Sequence, residues 1–252
     1  MVLPIIFIQA KTLPEAWEKS IVELWERGIV SLKESYRLGR DREIIKEALA
    51  IIVVDEPLAE PRVHAGYLGV LSLPRYVEEV LTGLHDYLVG KTLSYTYHHR
   101  YTQYFNVNQF ELAIEKLREC NFSNRVYLST WDPRVDIHSE APPCNVGVWL
   151  KVVNNRLVMV TTWRSRDAFH AAFANMFAFT ELQRVLAERL GVGVGPYIDI
   201  SFSYHIYEYD FEEVQRFLNT LKKKRERGEK IYMTTQEMMK LVQKHEKLKT
   251  TV

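Results

Sequence analysis

Cysteine is scarce in this chain. Only Cys120 and Cys144 occur among the 252 residues, and neither lies in a CxxC pair or beside a histidine-rich segment. Because disulfide frameworks and zinc sites need several such residues at regular spacing, the sequence excludes both as the basis of the fold. We therefore expect reduced thiols, no metal ion and a cytoplasmic location.

Long hydrophobic runs and an excess of one charge are also lacking. No segment approaches the roughly 20 apolar residues that span a bilayer, and the opening stretch MVLPIIFIQA lacks the basic start of a signal peptide. The 33 basic and 32 acidic residues nearly cancel. We therefore expect no membrane partner and no nucleic-acid partner, and any anion-binding site has to be local.

Hydrophobic residues make up 47% of the sequence, and low-complexity stretches are absent. A chain of this length and composition can bury one substantial core. Periodicity predicts strands over Val2–Gln9, Ala48–Val54, Arg125–Trp131, Val146–Val153, Arg156–Arg164 and Tyr197–Tyr209, and helices over 12–27, 76–88, 110–118, 165–190 and from Asp210 onward. The expected fold class is α/β (α+β), with a large mixed β-sheet flanked by helices. We expect one domain over residues 1–252, in which 220–252 form a helical C-terminal appendage.

The most informative segment is a predicted β-hairpin. Two apolar, β-branched stretches, Val146–Val153 and Arg156–Arg164, are joined by Asn154-Asn155. Asparagine tolerates positive φ, so this pair fits the two-residue type I′ turn that matches the twist of the flanking strands. Because such a turn contains only two residues, it fixes which residues of the two strands face each other.

The register of this hairpin brings reactive groups together at its open end. Asn145 should oppose Arg164, and Cys144 should oppose Ser165. A bulge would shift the faces by one residue, so the register predicts neighbours but not orientations. A lone cysteine is more often an inert buried thiol than a nucleophile. Here Pro142-Pro143 presents Cys144 rigidly and Arg164 favours its thiolate, so Cys144 is a candidate nucleophile.

A long helix is predicted directly after the hairpin. Ser165–Asp167 can begin it, and a cap at Ser165 that leaves N–H groups free would form an anion site. Residues 168–180 are apolar nearly all round, with His170 and Asn175 as the polar exceptions. Asn175 can bridge helices in the core, or it can donate and accept hydrogen bonds at once, as a uracil-type edge requires.

Three further features have a structural and a functional interpretation. His205 and Tyr207 share one face of the last predicted strand, either as ordinary edge residues or as ligand contacts. The aromatic and basic residues over Tyr95–Tyr101 are weak support for a nucleotide or RNA surface. Cys120 ends an amphipathic helix without such neighbours, and we interpret it as structural.

Together, four spaced elements resemble the thymidylate synthase family. They are Pro142-Pro143-Cys144, Arg164-Ser165-Arg166-Asp167, Asn175 and His205-Ile206-Tyr207. Residues 125–210 carry most of the resemblance, while the N-terminal half looks like the shorter, divergent archaeal branch, which is related to pyrimidine nucleotide hydroxymethylases. The resemblance implies a thymidylate synthase-like fold and a homodimer.

The resemblance also implies a reaction. Cys144 would add to C6 of dUMP, so that C5 becomes an enolate-like nucleophile. C5 would then attack the methylene group of 5,10-methylenetetrahydrofolate or a related methylene-tetrahydropterin, and the carrier would leave and return a hydride. The implied activity is that of a methyltransferase that makes dTMP.

Roles for the other site residues follow from the same resemblance. They are Arg164, Ser165 and, from the partner subunit, Arg125 at the phosphate; Asn175 at the uracil edge; His205 and Tyr207 at the deoxyribose hydroxyl; Asp167 at the pterin; and Tyr97 near the C5 proton. Glu79, or its neighbour Glu78, would organise the proton-transfer water. One arginine among Arg37, Arg40 and Arg42, with Arg40 preferred, would complete the phosphate site.

Some positions depart from the family pattern. Asn145 replaces the histidine that usually follows the nucleophile, and Asn124 replaces the first of two arginines in the phosphate contact from the partner. No tryptophan occurs between Gly83 and Tyr97, where the family usually shields its exocyclic methylene intermediate from water. The segment Lys247–Val252 does not resemble the one that normally closes the site.

These departures keep two alternatives open. In the first, water rather than hydride captures the same intermediate, and the product is 5-hydroxymethyl-dUMP. In the second, the chain is a non-catalytic nucleotide-binding or RNA-binding homologue that retains the scaffold. The pairing of a thiol with a guanidinium argues against the second alternative, because binding alone does not need a thiolate.

Overall fold

The structure is a computed structural model that describes residues 2–34 and 41–250. Strands within these segments are β1 (Ile5–Ala10), β2 (Ile29–Glu34), β3 (Arg42–Val54), β4 (Val63–His64), β5 (Tyr127–Ser129), β6 (Asn145–Val153), β7 (Arg156–Trp163), β8 (Arg166–Asp167), β9 (Gly193–Tyr207) and β10 (Tyr232–Met233). The helices are α1 (Leu13–Arg27), α2 (Leu73–Thr82), α3 (Tyr97–Thr102), α4 (Gln109–Glu119), α5 (Ala172–Leu190), α6 (Phe211–Glu226) and α7 (Thr235–Thr250).

Eight of the strands form one mixed sheet. Its order is β1-β3-β9-β7-β6-β5, while β2 pairs with the other part of β3 and β8 pairs with β9. The pairs β1/β3, β7/β9 and β8/β9 are parallel, and the others are antiparallel. This mixed sheet with flanking helices confirms the predicted fold class.

Helices α1 and α5 pack against each other and against one face of the sheet. Trp17 of α1 is fully buried, its indole N–H donates to the Ala168 carbonyl at 2.8 Å, and its ring centroid lies 5.5 Å from that of Phe173. Helix α5 is buried along most of its length. The predicted central helix is therefore confirmed, and it places Asn175 inside the molecule.

The opposite face of the sheet is apolar but partly exposed. Phe7, Ile51 and Ile200 are ladder partners on this face, and Ile5 lies two residues from Phe7 on the same strand. The exposed fraction is 60% for Phe7 and 58% for Ile5, whereas Ile6 on the other face is buried. We call this surface the apolar sheet face.

The β6–β7 hairpin confirms the predicted turn. Asn154 and Asn155 have φ values of 49° and 58°, both in the left-handed region that a type I′ turn requires. The register is also as predicted over most of the hairpin, from Val153 opposite Arg156 as far as Thr162. The chemistry of two asparagines thus sets the relative position of the two strands.

A bulge changes the last step of this hairpin. Asn145 pairs with Trp163, because the residue that follows it, Val146, has no partner on β7. The predicted opposition of Asn145 to Arg164 is therefore wrong by one residue. The backbone N–H of Arg164 instead donates to the carbonyl of Cys144 at 2.9 Å. Cys144 thus lies beside Arg164 and not opposite Ser165.

Helix α5 begins at Ala172, and not at Ser165–Asp167 as predicted. The guanidinium of Arg166 forms a buried ion pair with Asp199 and donates to the Ala172 carbonyl at 2.9 Å. These contacts hold the segment as the short strand β8, which pairs with β9. The helix cap predicted here is wrong, so the N–H groups of a helix end do not account for an anion site at this point.

Strand β2 was not predicted, and β3 begins at Arg42 rather than at Ala48. The cause is the polar alternation of β2, which looks like a loop in isolation. In the fold, the Ser31 hydroxyl donates to Glu47 across the ladder at 2.6 Å. The polar residues of β2 therefore have partners that the sequence alone does not reveal.

Other boundaries differ by a few residues. Helix α2 ends before Gly83, which adopts a φ of 69°, so the predicted helix over 76–88 is too long. The strand predicted over Arg125–Trp131 is reduced to β5. The segment predicted as a helical C-terminal appendage also contains a strand, β10, which pairs with β4. Within residues 2–34 and 41–250, every helix is too short or too polar to span a bilayer.

Replacing Asn155 by Val should destabilise the fold by about 1–2 kcal/mol, because a β-branched residue is strained at positive φ. Asn155→Gly should be neutral or slightly stabilising, since glycine adopts this conformation without strain. Urea denaturation of both variants and the wild type measures the difference. Equal stability of the Val and Gly variants would contradict the turn assignment.

Candidate active site

Cys144 lies directly before β6 and is partly buried. Its carbonyl accepts the backbone N–H of Arg164 at 2.9 Å, and its own N–H donates to the Tyr95 hydroxyl at 3.4 Å. Two buried prolines, Pro142 and Pro143, precede it and fix the backbone on that side. The main chain of the candidate nucleophile is thus held from three directions while its side chain stays partly accessible.

The Arg164 side chain binds the loop that presents Cys144. Its Nε donates to the Pro143 carbonyl at 3.0 Å, and its Nη2 donates to the Pro142 carbonyl at 2.8 Å. The guanidinium also lies 5.9 Å from the centre of the Trp131 ring. Arg164 therefore positions the loop and brings a permanent positive charge to the two residues directly before Cys144, in the neighbourhood that the hairpin register predicts.

Asn145 is committed to the sheet. Its Oδ1 accepts the Tyr101 hydroxyl, and its Nδ2 donates to the carbonyls of Thr162 at 3.1 Å and Gly147 at 3.4 Å. The side chain is fully buried. The asparagine after the nucleophile thus stabilises the bulge, and its amide has no donor left for a substrate.

Two tyrosines cover one side of Cys144. Tyr95 and Tyr97 are hydrogen-bonded to each other, and the Tyr97 ring makes edge contacts with Trp163 and Phe179, each at 5.7 Å between ring centroids. Burial, reinforced by Cys144, raises the pKa of Tyr95 to about 12. Burial also raises the pKa of Tyr97. Both hydroxyls therefore keep their protons at neutral pH and can donate hydrogen bonds.

His205 and Tyr207 both contact Lys33 of β2. The Lys33 ammonium donates to the Tyr207 hydroxyl and lies 3.3 Å from Nε2 of His205. Burial, together with the charge of Lys33, lowers the pKa of His205 to about 3. His205 is therefore a neutral imidazole at physiological pH, whose Nδ1 donates to the Ser203 carbonyl at 3.1 Å and whose Nε2 is an acceptor.

Lys33 was not recognised from the sequence. Burial lowers its pKa, and Cys144, Arg164 and Asp167 all influence that pKa electrostatically. Lys33 thus lies within reach of the whole cluster. The signal that could have identified it is the alternation of β2, which puts Ser31 and Lys33 on the same face of a strand.

Asp167 lies at the end of β8, close to a second charged group. Its Oδ1 accepts the backbone N–H groups of Phe169 at 3.0 Å and His170 at 2.9 Å, and burial raises its pKa. His170 forms an ion pair with Asp210 at 3.0 Å. Although burial opposes it, the hydrogen bond to Asp210 raises the pKa of His170. Glu213 lies close to both groups.

A cavity of about 420 Å³ is lined by two further predicted residues, Asn175 and Glu79. Asn175 lines it, and its Nδ2 donates to the Tyr76 hydroxyl at 2.6 Å. Glu79 also lines it and accepts the backbone N–H of His85 at 3.0 Å. Glu78 is exposed, so Glu79 is the glutamate of this pair that lines the cavity. Tyr76 was not predicted, although it fixes the orientation of the asparagine amide.

Arg125 does not lie with the residues around Cys144 and Arg164. It is exposed and lines a second cavity of about 560 Å³, which Trp131 also lines. Among the described residues, no hydrogen bond or ion pair joins its side chain to Cys144 or Arg164. The side-chain oxygen of the neighbouring Asn124 accepts from Lys151 at 2.6 Å.

The remaining phosphate candidates divide into two groups. Arg37 and Arg40 lie outside the described residues. Arg42 opens β3, where it is exposed and pairs with Glu34 across the ladder. Ser165 directly follows Arg164 and is nearly buried, with 7% of its surface exposed.

This chain is similar to known proteins of one family. A family model described as thymidylate synthase matches residues 77–249. A relative from Methanothermobacter marburgensis, named provisionally as a thymidylate synthase, is 36% identical over 158 residues, which are 62% of this chain and 69% of the relative. A relative from Methanosarcina mazei with the same provisional name is 29% identical over 215 residues, which are 84% and 94% of the two chains.

A solved structure is similar in fold. Thermostable thymidylate synthase A from Bacillus subtilis superimposes with a TM-score of 0.65 at 15% sequence identity, covering 81% of this chain and 83% of that one. At this identity the likeness concerns the fold alone. Strands β1 to β4, and with them Lys33, lie outside the segment that the family model matches.

We expect His205 to stay neutral throughout the physiological pH range, because its pKa is lowered to about 3. An NMR titration of its imidazole should show no inflection near the ordinary histidine pKa of about 6.5. Since the unfolded chain binds this proton and the folded chain does not, His205 should reduce stability as the pH falls from about 6.5 towards the folded value. In Lys33→Met the pKa should rise, because a nearby positive charge is lost. An unchanged pKa in that variant would argue against the contact.

Proposed function

The chain belongs to the thymidylate synthase family, and we propose that it methylates dUMP at C5 to give dTMP. The one-carbon donor is 5,10-methylenetetrahydrofolate or a related methylene-tetrahydropterin. The observation that carries the proposal is the position of Cys144, whose backbone is held by Arg164 and Tyr95 while its side chain stays partly accessible. A structural cysteine does not need such support.

Cys144 is the proposed nucleophile. Its thiolate adds to C6 of the uracil ring, which makes C5 nucleophilic toward the methylene carbon of the donor. C5 then loses its proton, and elimination of the reduced carrier leaves an exocyclic methylene group on the ring. Hydride transfer to this methylene gives the methyl group, and the sulfur leaves C6. Because the prolines and Arg164 fix the loop beforehand, the sulfur can be positioned without reorganisation of the backbone.

Asn175 is proposed to recognise the uracil edge. One of its Nδ2 hydrogens is given to Tyr76, so the second hydrogen and Oδ1 are free to donate to O4 and to accept from N3–H. Cytosine presents the opposite pattern at these two positions and would leave both groups unpaired. An unpaired buried polar group costs about 1–3 kcal/mol, which accounts for discrimination against cytosine.

Arg164 and Ser165 are proposed to bind the phosphate, and His205 with Tyr207 the deoxyribose hydroxyl. A neutral imidazole suits a sugar hydroxyl, since Nε2 of His205 can accept a hydrogen bond from it without attracting an anion. The permanent charge of Arg164 suits the phosphate, for which charge-assisted hydrogen bonds are the stronger kind. Arg40 stays a proposed phosphate contact on the basis of sequence alone.

Proton transfer and binding of the carrier are assigned to three further groups. Tyr97 keeps its proton because burial raises its pKa, so it is proposed to bind the water or base near the C5 proton. Glu79, which lines the cavity, is proposed to organise that water. Asp167 is proposed to accept hydrogen bonds from the pterin ring, whose amino and imino groups are donors.

We further propose that the protein is a homodimer paired through the apolar sheet face. The surface around Phe7 and Ile200 is contiguous and apolar, as an obligate interface requires. A two-fold interface would also let Arg125, which lies apart from Cys144 in its own chain, reach the phosphate bound by the partner.

Hydroxymethylation is a second candidate, supported by one feature of the cavity. Between Gly83 and Tyr97 the chain contains no tryptophan, and His85 lines the cavity in this stretch. A polar imidazole at this place admits water more readily than an apolar shield. Water would then add to the exocyclic methylene and give 5-hydroxymethyl-dUMP in place of dTMP.

Incubating the protein with dUMP and each methylene carrier separates the two candidates by their product. We expect dTMP, with oxidised carrier released in equal amount. Formation of 5-hydroxymethyl-dUMP, with the carrier recovered still reduced, would replace the first candidate by the second. If neither product forms with either carrier, and no label is released from C5, the non-catalytic alternative holds.

Replacing Cys144 by Ala should abolish turnover, by at least about a thousandfold, because the covalent step is lost. Binding of dUMP should change little, since the phosphate, sugar and uracil contacts remain. Tritium release from C5-labelled dUMP measures the first effect, and calorimetry measures the second. Cys120→Ala, the matched control at the end of α4, should keep wild-type rates. Equal rates for the wild type and Cys144→Ala would contradict the mechanism.

Subunit complementation tests the proposed dimer. Arg125→Ala and Cys144→Ala should each be inactive, the first through weakened binding of dUMP. Re-association of the two variants should restore about a quarter of the wild-type activity, because half of the dimers are mixed and each of these contains one intact site. Light scattering should give a dimer. No recovery in mixtures that contain mixed dimers would mean that Arg125 does not act across the interface.

A further inference from the structure

A lysine is half-buried among the groups proposed for the sugar. Lys33 donates to the Tyr207 hydroxyl, lies 3.3 Å from Nε2 of His205 and is 4.7 Å from the centre of the Tyr207 ring. A neutral sugar hydroxyl does not require a cation at this place. Burial of an ammonium group is costly unless negative charge compensates it. Cys144, Glu43 and Asp167 do not fully compensate this burial, because the pKa of Lys33 is still lowered, and a further anion at this place would do so.

The charged groups around Lys33 indicate which kind of anion would bind there. Burial and the charge of Arg164 lower its pKa, while Cys144, Glu43 and Asp167 oppose the shift. Glu43 lies across the ladder from Lys33 on β3. Arg164 and Lys33 thus repel each other within one partly buried space. Such repulsion is relieved when a multiply charged anion lies between the two cations.

Arg164 has limited capacity to bind this anion alone. Its Nε and one hydrogen of Nη2 are used by the carbonyls of Pro143 and Pro142. A phosphate dianion offers three terminal oxygens, each of which can accept more than one hydrogen bond. Lys33 has three N–H donors, of which one goes to Tyr207 and a second faces Nε2 of His205, so one is left for an oxygen of the phosphate. The two side chains together therefore supply what neither supplies alone.

We propose that Lys33 binds the 5′-phosphate of the nucleotide as a second cation beside Arg164, and that it makes the site selective for nucleotides over nucleosides. This inference rests on the proposed function, because that function puts a nucleotide in the site. Lys33 comes from β2, outside the segment that the family model matches. By contacting Tyr207 as well, it links recognition of the sugar to recognition of the phosphate.

Calorimetry with three ligands tests this assignment. Lys33→Met should weaken binding of dUMP by about tenfold or more, since one charge-assisted contact to phosphate is lost. Deoxyuridine, which has no phosphate, should bind to within about twofold of its wild-type affinity. Protection of the protein by inorganic phosphate against thermal unfolding should decrease. In turnover, KM for dUMP should rise while kcat changes little.

Two further variants serve as controls. Lys33→Arg keeps the charge and should retain most of the affinity for dUMP, and unlike the wild type it should do so at alkaline pH. Lys46→Met removes a lysine from β3 whose ammonium lies 4.8 Å from the centre of the Trp25 ring, away from the site. It should bind all three ligands as the wild type does.

Three results would overturn the inference. In the first, Lys33→Met weakens dUMP and deoxyuridine equally, which means that Lys33 acts through the sugar contacts. In the second, the variant binds dUMP unchanged. In the third, the wild type responds to none of the three ligands. If inorganic phosphate binds in a Lys33-dependent way but dUMP is not turned over, the anion site stands and the proposed function fails, so the two failures are distinguishable.

Discussion

The reactive end of this protein depends on one backbone hydrogen bond, from the N–H of Arg164 to the carbonyl of Cys144. The bond forms because Val146 has no partner on β7. The pairing of the two strands is therefore shifted by one residue before the hairpin opens. The Arg164 side chain then turns back onto the two prolines, while Asn145 fills the space behind the bulge. A local irregularity of the sheet is thus the feature that places Arg164 beside Cys144.

Burial has opposite consequences for the acids and the bases of the site. Tyr95 and Tyr97 keep their protons because burial raises their pKa values, whereas His205 stays unprotonated because burial lowers its pKa. All three are consequently neutral near pH 7. Arg164 and Lys33 carry most of the positive charge, at the place where a phosphate would lie. The site therefore combines neutral hydrogen-bonding groups around the base and sugar with cations where a phosphate would lie.

The sequence predicted the fold class, the type I′ turn and the proximity of Cys144 to Arg164, because each depends on local chemistry. The bulge was not predictable, since it results from packing of Asn145 against a distant tyrosine. The start of α5 was placed too early because Arg166 finds its partner, Asp199, more than thirty residues away. Lys33 was missed for a similar reason, since a polar strand is recognised only through its partners on other strands. The roles of the individual site residues stay predictions.

The buried pair of Arg166 and Asp199 has a consequence for how this protein can change over time. Losing either partner leaves an uncompensated charge in the interior, which typically costs 3–5 kcal/mol and would displace the strand that ends at Asp167. Replacing both by apolar residues of similar volume can be harmless, but that route requires two substitutions whose first step is strongly unfavourable. Divergence within this family should therefore exchange the two positions together or leave both untouched.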